Sequence, residues 1–226
     1  MQITGIERHA KRRSRVVVYV DGIATMEIAR SAARARDLRP GRATSPAEIE
    51  AIVAAEQRRE ALAAAAALLA RRPRSEREVR QRLSRRGATP AVIDETVAKL
   101  YAARLLDDAA FAQAWAEARD RTSPRSARLV TAELRARGVR PEVASVAARD
   151  GIDDADAAYR LASRRAAAIR DAPYEAFRAR LGGLLRRRGF GWSVVQATVE
   201  RCWRELAADD TAASQGRDVS AELTRR

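Results

Sequence analysis

The feature that most constrains the fold is a repeat. Leu83-Ser-Arg-Arg-Gly87 returns as Leu134-Arg-Ala-Arg-Gly138 and again as Leu185-Arg-Arg-Arg-Gly189, and the three glycines stand 51 positions apart both times. The apolar neighbours hold the same register. Val79, Val130 and Leu181 lie four residues before the three leucines, and Val92, Val143 and Val194 follow the glycines in step. Apolar residues four apart share a helix face, and a glycine just beyond the last of them ends a helix in the left-handed conformation. Each unit therefore reads as a helix closed by glycine, a short turn and a second helix. Residues 108–121 and 153–170 supply a further helix that bridges one unit to the next. A lone helix pair of this length cannot bury its apolar face, so such units stack on one another. The expected fold is mainly α, with three tandem three-helix repeats forming an elongated curved body.

The first thirty residues follow a different period. The β-branched runs Arg15-Val-Val-Val-Tyr-Val20 and Ile23-Ala-Thr-Met-Glu-Ile28 flank Asp21-Gly22, a pair that tolerates the positive φ angles of a type I′ hairpin turn. Residues 3–6 offer a third strand before the basic run Lys11-Arg12-Arg13, and the chain turns at Arg39-Pro40-Gly41. From there the punctuation is helical. Ser45-Pro46-Ala47-Glu48 is a capping box with proline at the first helical position. Its helix carries Ile49, Ile52 and Val53 on one face and runs on through Leu62, Leu68 and Leu69 towards Pro73. Ser75 with Glu78 forms a second box, and Thr89-Pro90, Asp107, Ser126, Pro141, Asp153, Pro173-Tyr174 and Trp192 mark further starts. The stretch after Asp209 is polar, lacks periodicity and is expected to be disordered. This gives a β-hairpin extension over 1–44, a first helical repeat with its lead-in helix over 45–104, a second over 105–151, a third over 152–208 and a tail over 209–226.

The formal net charge is +14, from 44 basic and 30 acidic side chains, and only Lys11 and Lys99 among the basic residues are lysines. Bias in the coding DNA accounts for arginine over lysine, but not for the excess of basic over acidic residues. That excess favours a polyanionic partner, nucleic acid or an acidic protein surface. The arginines gather on the repeats: Arg77, Arg80, Arg85 and Arg86 on the first, Arg125, Arg128, Arg135 and Arg137 on the second. Arg178, Arg180, Arg186, Arg187 and Arg188 belong to the third. With Val79 and Leu83 facing inward, most of them are expected at the surface, where guanidinium groups grip phosphate or carboxylate oxygens two at a time. The plainer alternative is a solvated helix face.

Other constellations point to packing. Second helices such as residues 91–97 carry acidic and apolar side chains where a DNA-reading helix would need base contacts. Tyr101, Phe111, Trp115, Tyr159, Phe177, Trp192 and Trp203 lie among alanines and leucines at helical spacing, which favours core packing over base stacking. Asp107-Asp108 and Asp153-Asp154 stand where helices begin and serve as caps. One histidine, His9, and one cysteine, Cys202, leave no set for structural zinc and no Cys–His nucleophile pair. With no phosphate-binding glycine loop either, no cofactor, metal or enzymatic activity is expected. No apolar run approaches the roughly 20 residues of a membrane span. No secretion signal is read at the N-terminus, and a single cysteine fits a reducing cytoplasm.

Three stretches carry a family resemblance. Residues 72–83 followed by Gly87, residues 104–112 followed by Trp115 and Arg119, and residues 126–139 resemble successive signatures of the RecX family. Residues 3–20 with Asp21-Gly22, then Leu38-Arg-Pro-Gly41, resemble an extension found in one subset of that family, so the likeness covers roughly residues 1–207. The resemblance implies an all-helical regulator that lodges in the groove of a RecA filament on DNA. There it inhibits ATP hydrolysis, strand exchange and the filament's co-protease role, and promotes disassembly. It also implies a monomer with weaker affinity for free single- and double-stranded DNA, and no catalytic residues. The third unit departs from the pattern, with Phe177 where Ser75 and Ser126 stand and Gly182 where Arg80 stands. From the residues alone, an autonomous DNA-binding protein and a helical scaffold for another acidic protein stay open.

Overall fold

The computed structural model describes the backbone of residues 1–223 and the side chains through Ala208. The chain divides into two compact units, Met1–Leu106 and the remainder from Asp107.

The first unit opens with an antiparallel sheet in the order β1 (Ile3–Arg8), β2 (Arg15–Val20), β3 (Ile23–Ala29). Asp21 and Gly22 have φ of 49° and 83°, the left-handed pair that a type I′ turn requires. Alternation along β2 sends Val16, Val18 and Val20 to one side, where they pack with Met26 and Ile28 of β3. A short helix, α1 (Arg30–Ala35), follows directly; sequence periodicity passed over it because it is under two turns long and has no capping side chain. Helix α2 (Pro46–Leu69) begins at Ser45, whose hydroxyl accepts the Glu48 amide at 3.2 Å. The Glu48 carboxylate does not close the box. It takes Arg42 and Thr44 instead.

Helix α2 serves two cores. Ile49 and Ile52 complete the sheet's apolar face, and Ala61 and Ala65 line the first helical repeat with α3 (Glu76–Ser84) and α4 (Pro90–Ala102). Leu62, expected to continue the apolar face, is exposed. The inner row at that level is Ala61 and Ala65, whose small side chains fit a close helix approach.

From Asp107 the order is α5 (Asp108–Thr122), α6 (Ala127–Ala136), α7 (Pro141–Gly151), α8 (Asp154–Ala166), a 3-10 turn (Ala167–Ile169), α9 (Tyr174–Arg187) and α10 (Trp192–Leu223). Three tandem three-helix repeats are thus present, each led by a helix with an alanine inner row: Ala61 and Ala65, Ala112 and Ala116, Ala158 and Ala162.

The repeat glycines close their helices in the same way. Gly87, Gly138 and Gly189 have φ between 83° and 88°. Their amides donate to Ser84, Arg135 and Arg186 at 2.9 Å, and the next amides (Ala88, Val139, Phe190) reach back to Leu83, Leu134 and Leu185. This paired bonding is the Schellman motif, and the leucine it returns to is buried each time.

The third repeat is longer inside. Asp107 and Asp153, both helix caps, stand 46 residues apart against 51 for the glycines, so the third repeat holds five more residues between cap and glycine. The 3-10 turn and an extra turn at the start of α9 absorb them. Phe177, at the register of the caps Ser75 and Ser126, is therefore inside a helix and buried, with Trp203 edge-on at 5.1 Å.

One expectation is corrected. Trp192 is not core: it is 75% exposed, because it is the first residue of α10 and takes the place of Pro90 and Pro141, exposed at the starts of α4 and α7. Tyr101 is also not buried: it is 40% exposed, and its hydroxyl donates to Glu76. Helix α10 runs to Leu223. The tail expected to be disordered over 209–226 falls on side chains from residue 209 and on the last three residues, which lie outside the described part.

Candidate partner-binding surface

The candidate arginines divide into two groups. Arg85, Arg86, Arg128, Arg135, Arg186 and Arg187 are exposed, and among the described residues none has an ion pair or a side-chain hydrogen bond. Arg85 and Arg86 flank the end of α3, Arg135 lies in the last turn of α6, and Arg186 and Arg187 in that of α9. The Schellman turn fixes where each helix stops. It thereby sets exposed arginines in or just beyond the last turn of this helix in every repeat, though not at one shared position, beside carbonyl oxygens whose dipole favours a cation. Arg77 and Arg180 are exposed on α3 and α9, and Arg178 forms an exposed pair with Glu175 at 3.2 Å.

Four others are held by the protein itself. Arg80 bridges Glu76 and Asp94 at 2.5 Å each, and these carboxylates, Asp94 first, hold its pKa above the ordinary value. Arg188 donates to Ser123 at 2.8 Å, while its carbonyl accepts the Ser126 amide. Arg125 is paired with Glu133. Arg137 lies over the Trp115 ring, 3.7 Å from its centroid. Most of the candidate arginines are at the surface, as expected; these four are half-buried beside a carboxylate, hydroxyl or ring of a neighbouring element.

Glu133, which sequence reading did not single out, organises the densest cluster. One carboxylate oxygen accepts the Trp115 indole N–H at 3.1 Å and Arg119 Nε at 2.8 Å, and the other pairs with Arg125. Arg119 and Arg137 both stack on Trp115. Three guanidinium groups against one carboxylate leave two positive charges in excess, held in place by a ring between α5 and α6. The only sequence signal for Glu133 was its position inside the third signature stretch.

The aspartates cap as expected, with one addition. Asp107 and Asp153 each accept two amides of their own helix, whereas Asp154 accepts the Ala127 amide at 2.7 Å and so caps α6. Cys202 is buried at the register of Leu100, and burial pushes its thiol up to about 11. Among the described residues no group of His, Cys, Asp and Glu is placed to hold a metal, and no helix is long and apolar enough to cross a membrane.

These features define a helical-repeat protein with an arginine-bearing surface. The first three-helix domain of RecX matches residues 61–100, and the second matches residues 107–147. The regulatory protein RecX of Thermobifida fusca is 35% identical over 162 residues, covering 70% of this chain and 83% of that protein. That of Amycolatopsis mediterranei is 33% identical over 146 residues, covering 64% and 83%. A crystal structure of regulatory protein RecX superposes with a TM-score of 0.63 at 23% identity, over 88% of this chain and 98% of that one. The structure of RecX from Lactobacillus salivarius gives 0.61 at 19%, over 66% and 97%. The last two establish likeness of fold. The chain belongs to the RecX family of regulatory proteins.

Proposed function

We propose that this chain is a cytoplasmic, non-enzymatic regulator that binds RecA filaments on DNA and restrains their ATP hydrolysis, strand exchange and co-protease activity. The observation that supports this best is the set of exposed arginines without internal partners at the helix ends of all three repeats, Arg85 and Arg86, Arg135, Arg186 and Arg187. A filament offers phosphates and carboxylates at regular intervals, and a protein that carries exposed arginines at the corresponding helix end of each repeat is suited to meet several at once. Family membership supports the regulatory part of the reading. Affinity for free single- and double-stranded DNA is weaker on this account, because only the phosphate contacts remain.

The test is to add the protein to RecA on single-stranded DNA and follow ATP hydrolysis. Strong inhibition well below one molecule per recombinase protomer is expected. Inhibition that only tracks occupancy of bare DNA would instead make the chain an autonomous DNA-binding protein.

A further inference from the structure

Helices α5 and α7 leave a groove of about 630 Å³ along their seam, within the roughly 300–1,000 Å³ range of binding clefts. Its apolar lining is Ala110 of α5 with Val143, Val146 and Ala147 of α7, and Val146 is 49% exposed. Around it stand Asp107, Glu117, Glu142 and Asp150, and no lining residue is basic. On a chain of net charge +14 this is an anomaly. Among the described residues none of these four carboxylates has an ion pair. Asp107 accepts the Ala109 and Ala110 amides, and Glu117 accepts Gln113.

The same seam in the other repeats is bridged by side chains. In the first, Arg58 of α2 reaches Glu95 of α4 at 2.6 Å, and Lys99 joins Glu95 at 2.8 Å. Fifty-one positions on, Arg58, Glu95 and Lys99 become Ala109, Val146 and Asp150, so the bridge is gone and an apolar trough takes its place. In the third repeat, Tyr159 of α8 fills the seam. Arg201 of α10 stacks on its ring at 3.6 Å, and its hydroxyl donates to Glu205 at 2.8 Å. Among the described residues, the second repeat's seam has neither bridge, and it is apolar and acid-rimmed.

We propose that the α5–α7 groove docks a basic amphipathic segment of a partner protein, with apolar side chains on Val143, Val146 and Ala147 and arginines or lysines on the rim. The sign of the rim excludes nucleic acid, which four unpaired carboxylates repel. Protein recognition by laying an apolar helix face into a groove needs this combination of floor and complementary charge. The assignment is independent of the filament reading, which concerns the exposed arginines.

The test is a 15N NMR titration of the full chain with a synthetic twelve-residue amphipathic helix of leucine and arginine, beside a glutamate counterpart. The arginine peptide is expected to shift the amides of Val143, Val146 and Ala147, and the glutamate peptide to leave them unmoved. Glu142→Arg with Asp150→Arg should weaken peptide binding at least tenfold while strengthening binding to DNA. Glu50→Arg with Asp171→Arg, exposed positions outside the groove, makes the same charge change and should weaken the peptide far less. Absence of binding, shifts elsewhere, or equal loss in both double variants would overturn the proposal. So would light scattering that finds a dimer dissolved by the groove variant, since the occupant would then be a second copy.

Discussion

Gly189 sits directly against Ser126: a Cβ added to Gly189 would lie 2.6 Å from the Ser126 hydroxyl and 2.8 Å from the Leu129 Cβ. The third repeat's Schellman turn thus packs on the cap of α6, where the Ser126 hydroxyl accepts the Leu129 amide at 3.2 Å. Gly87 has nearly the same φ but open space around it. Gly87→Ala should therefore cost only the left-handed conformation, about 1–2 kcal/mol. Gly189→Ala adds a steric conflict worth roughly 1–3 kcal/mol more. Urea unfolding of the two variants checks the difference, and equal losses would refute the contact.

Arg86, Arg137 and Arg188 share a repeat position but not a role. Arg86→Gln removes only a helix-end charge and should cost about 0.3–1 kcal/mol at most. Arg137→Gln removes a cation stacked on Trp115 and should cost about 0.5–2 kcal/mol. Tryptophan fluorescence during denaturant unfolding resolves the two. On the proposed function, Arg86→Gln nonetheless weakens filament binding, which a purely structural arginine would not do.

Much of this was legible in the sequence because the repeat imposes its own register. A glycine and a leucine every 51 residues fixed the helix ends, and serine or aspartate before an apolar row fixed the starts. What escaped reading was decided by contacts between elements. Nothing local marks Glu133 as the acceptor for Trp115, Arg119 and Arg125, since those donors lie on or beside other helices. The open seam was equally hidden. It becomes visible only when Ala109 and Val146 are compared with the ion pair that Arg58 and Glu95 make in their place. Trp192 misled because an aromatic at helical spacing reads as core, while its position as the first helical residue leaves it nothing to pack on.

Glu56 ties the sheet to α2 and should give the first unit an acid limit. It is 5% exposed, accepts the Ala29 amide at 2.7 Å and pairs with Arg59 through both oxygens. The Arg59 hydrogen bonds hold its carboxyl below the ordinary 4.5, against the opposing effect of burial. A depressed folded pKa means the stabilisation is complete above the unfolded value and lost as pH falls through the folded one. Stability of the first unit should hold above pH 4.5 and decline below it. Glu56→Gln should flatten that decline and lower stability at neutral pH by about 1–3 kcal/mol. An unchanged pH profile would contradict the assignment.

Deleting residues 1–44 removes the sheet but leaves Ile49 and Ile52, which pack on it. Loss of helix by circular dichroism should be confined to the N-terminal half of α2, with hydrogen exchange beyond Asp107 unchanged. Unfolding of the whole chain would show that the helical repeats depend on the sheet.

The most direct test of the filament-binding account compares affinity for RecA on single-stranded DNA with affinity for the same DNA bare, across a salt series. Binding to bare DNA should fall steeply with salt, as counterion release requires, with a log–log slope of about 0.7 per phosphate contact on single strands. Binding to the filament should be tighter at every salt, and Arg135→Gln, Arg186→Gln and Arg187→Gln together should weaken both. Equal affinity for filament and bare DNA throughout the series would contradict the account.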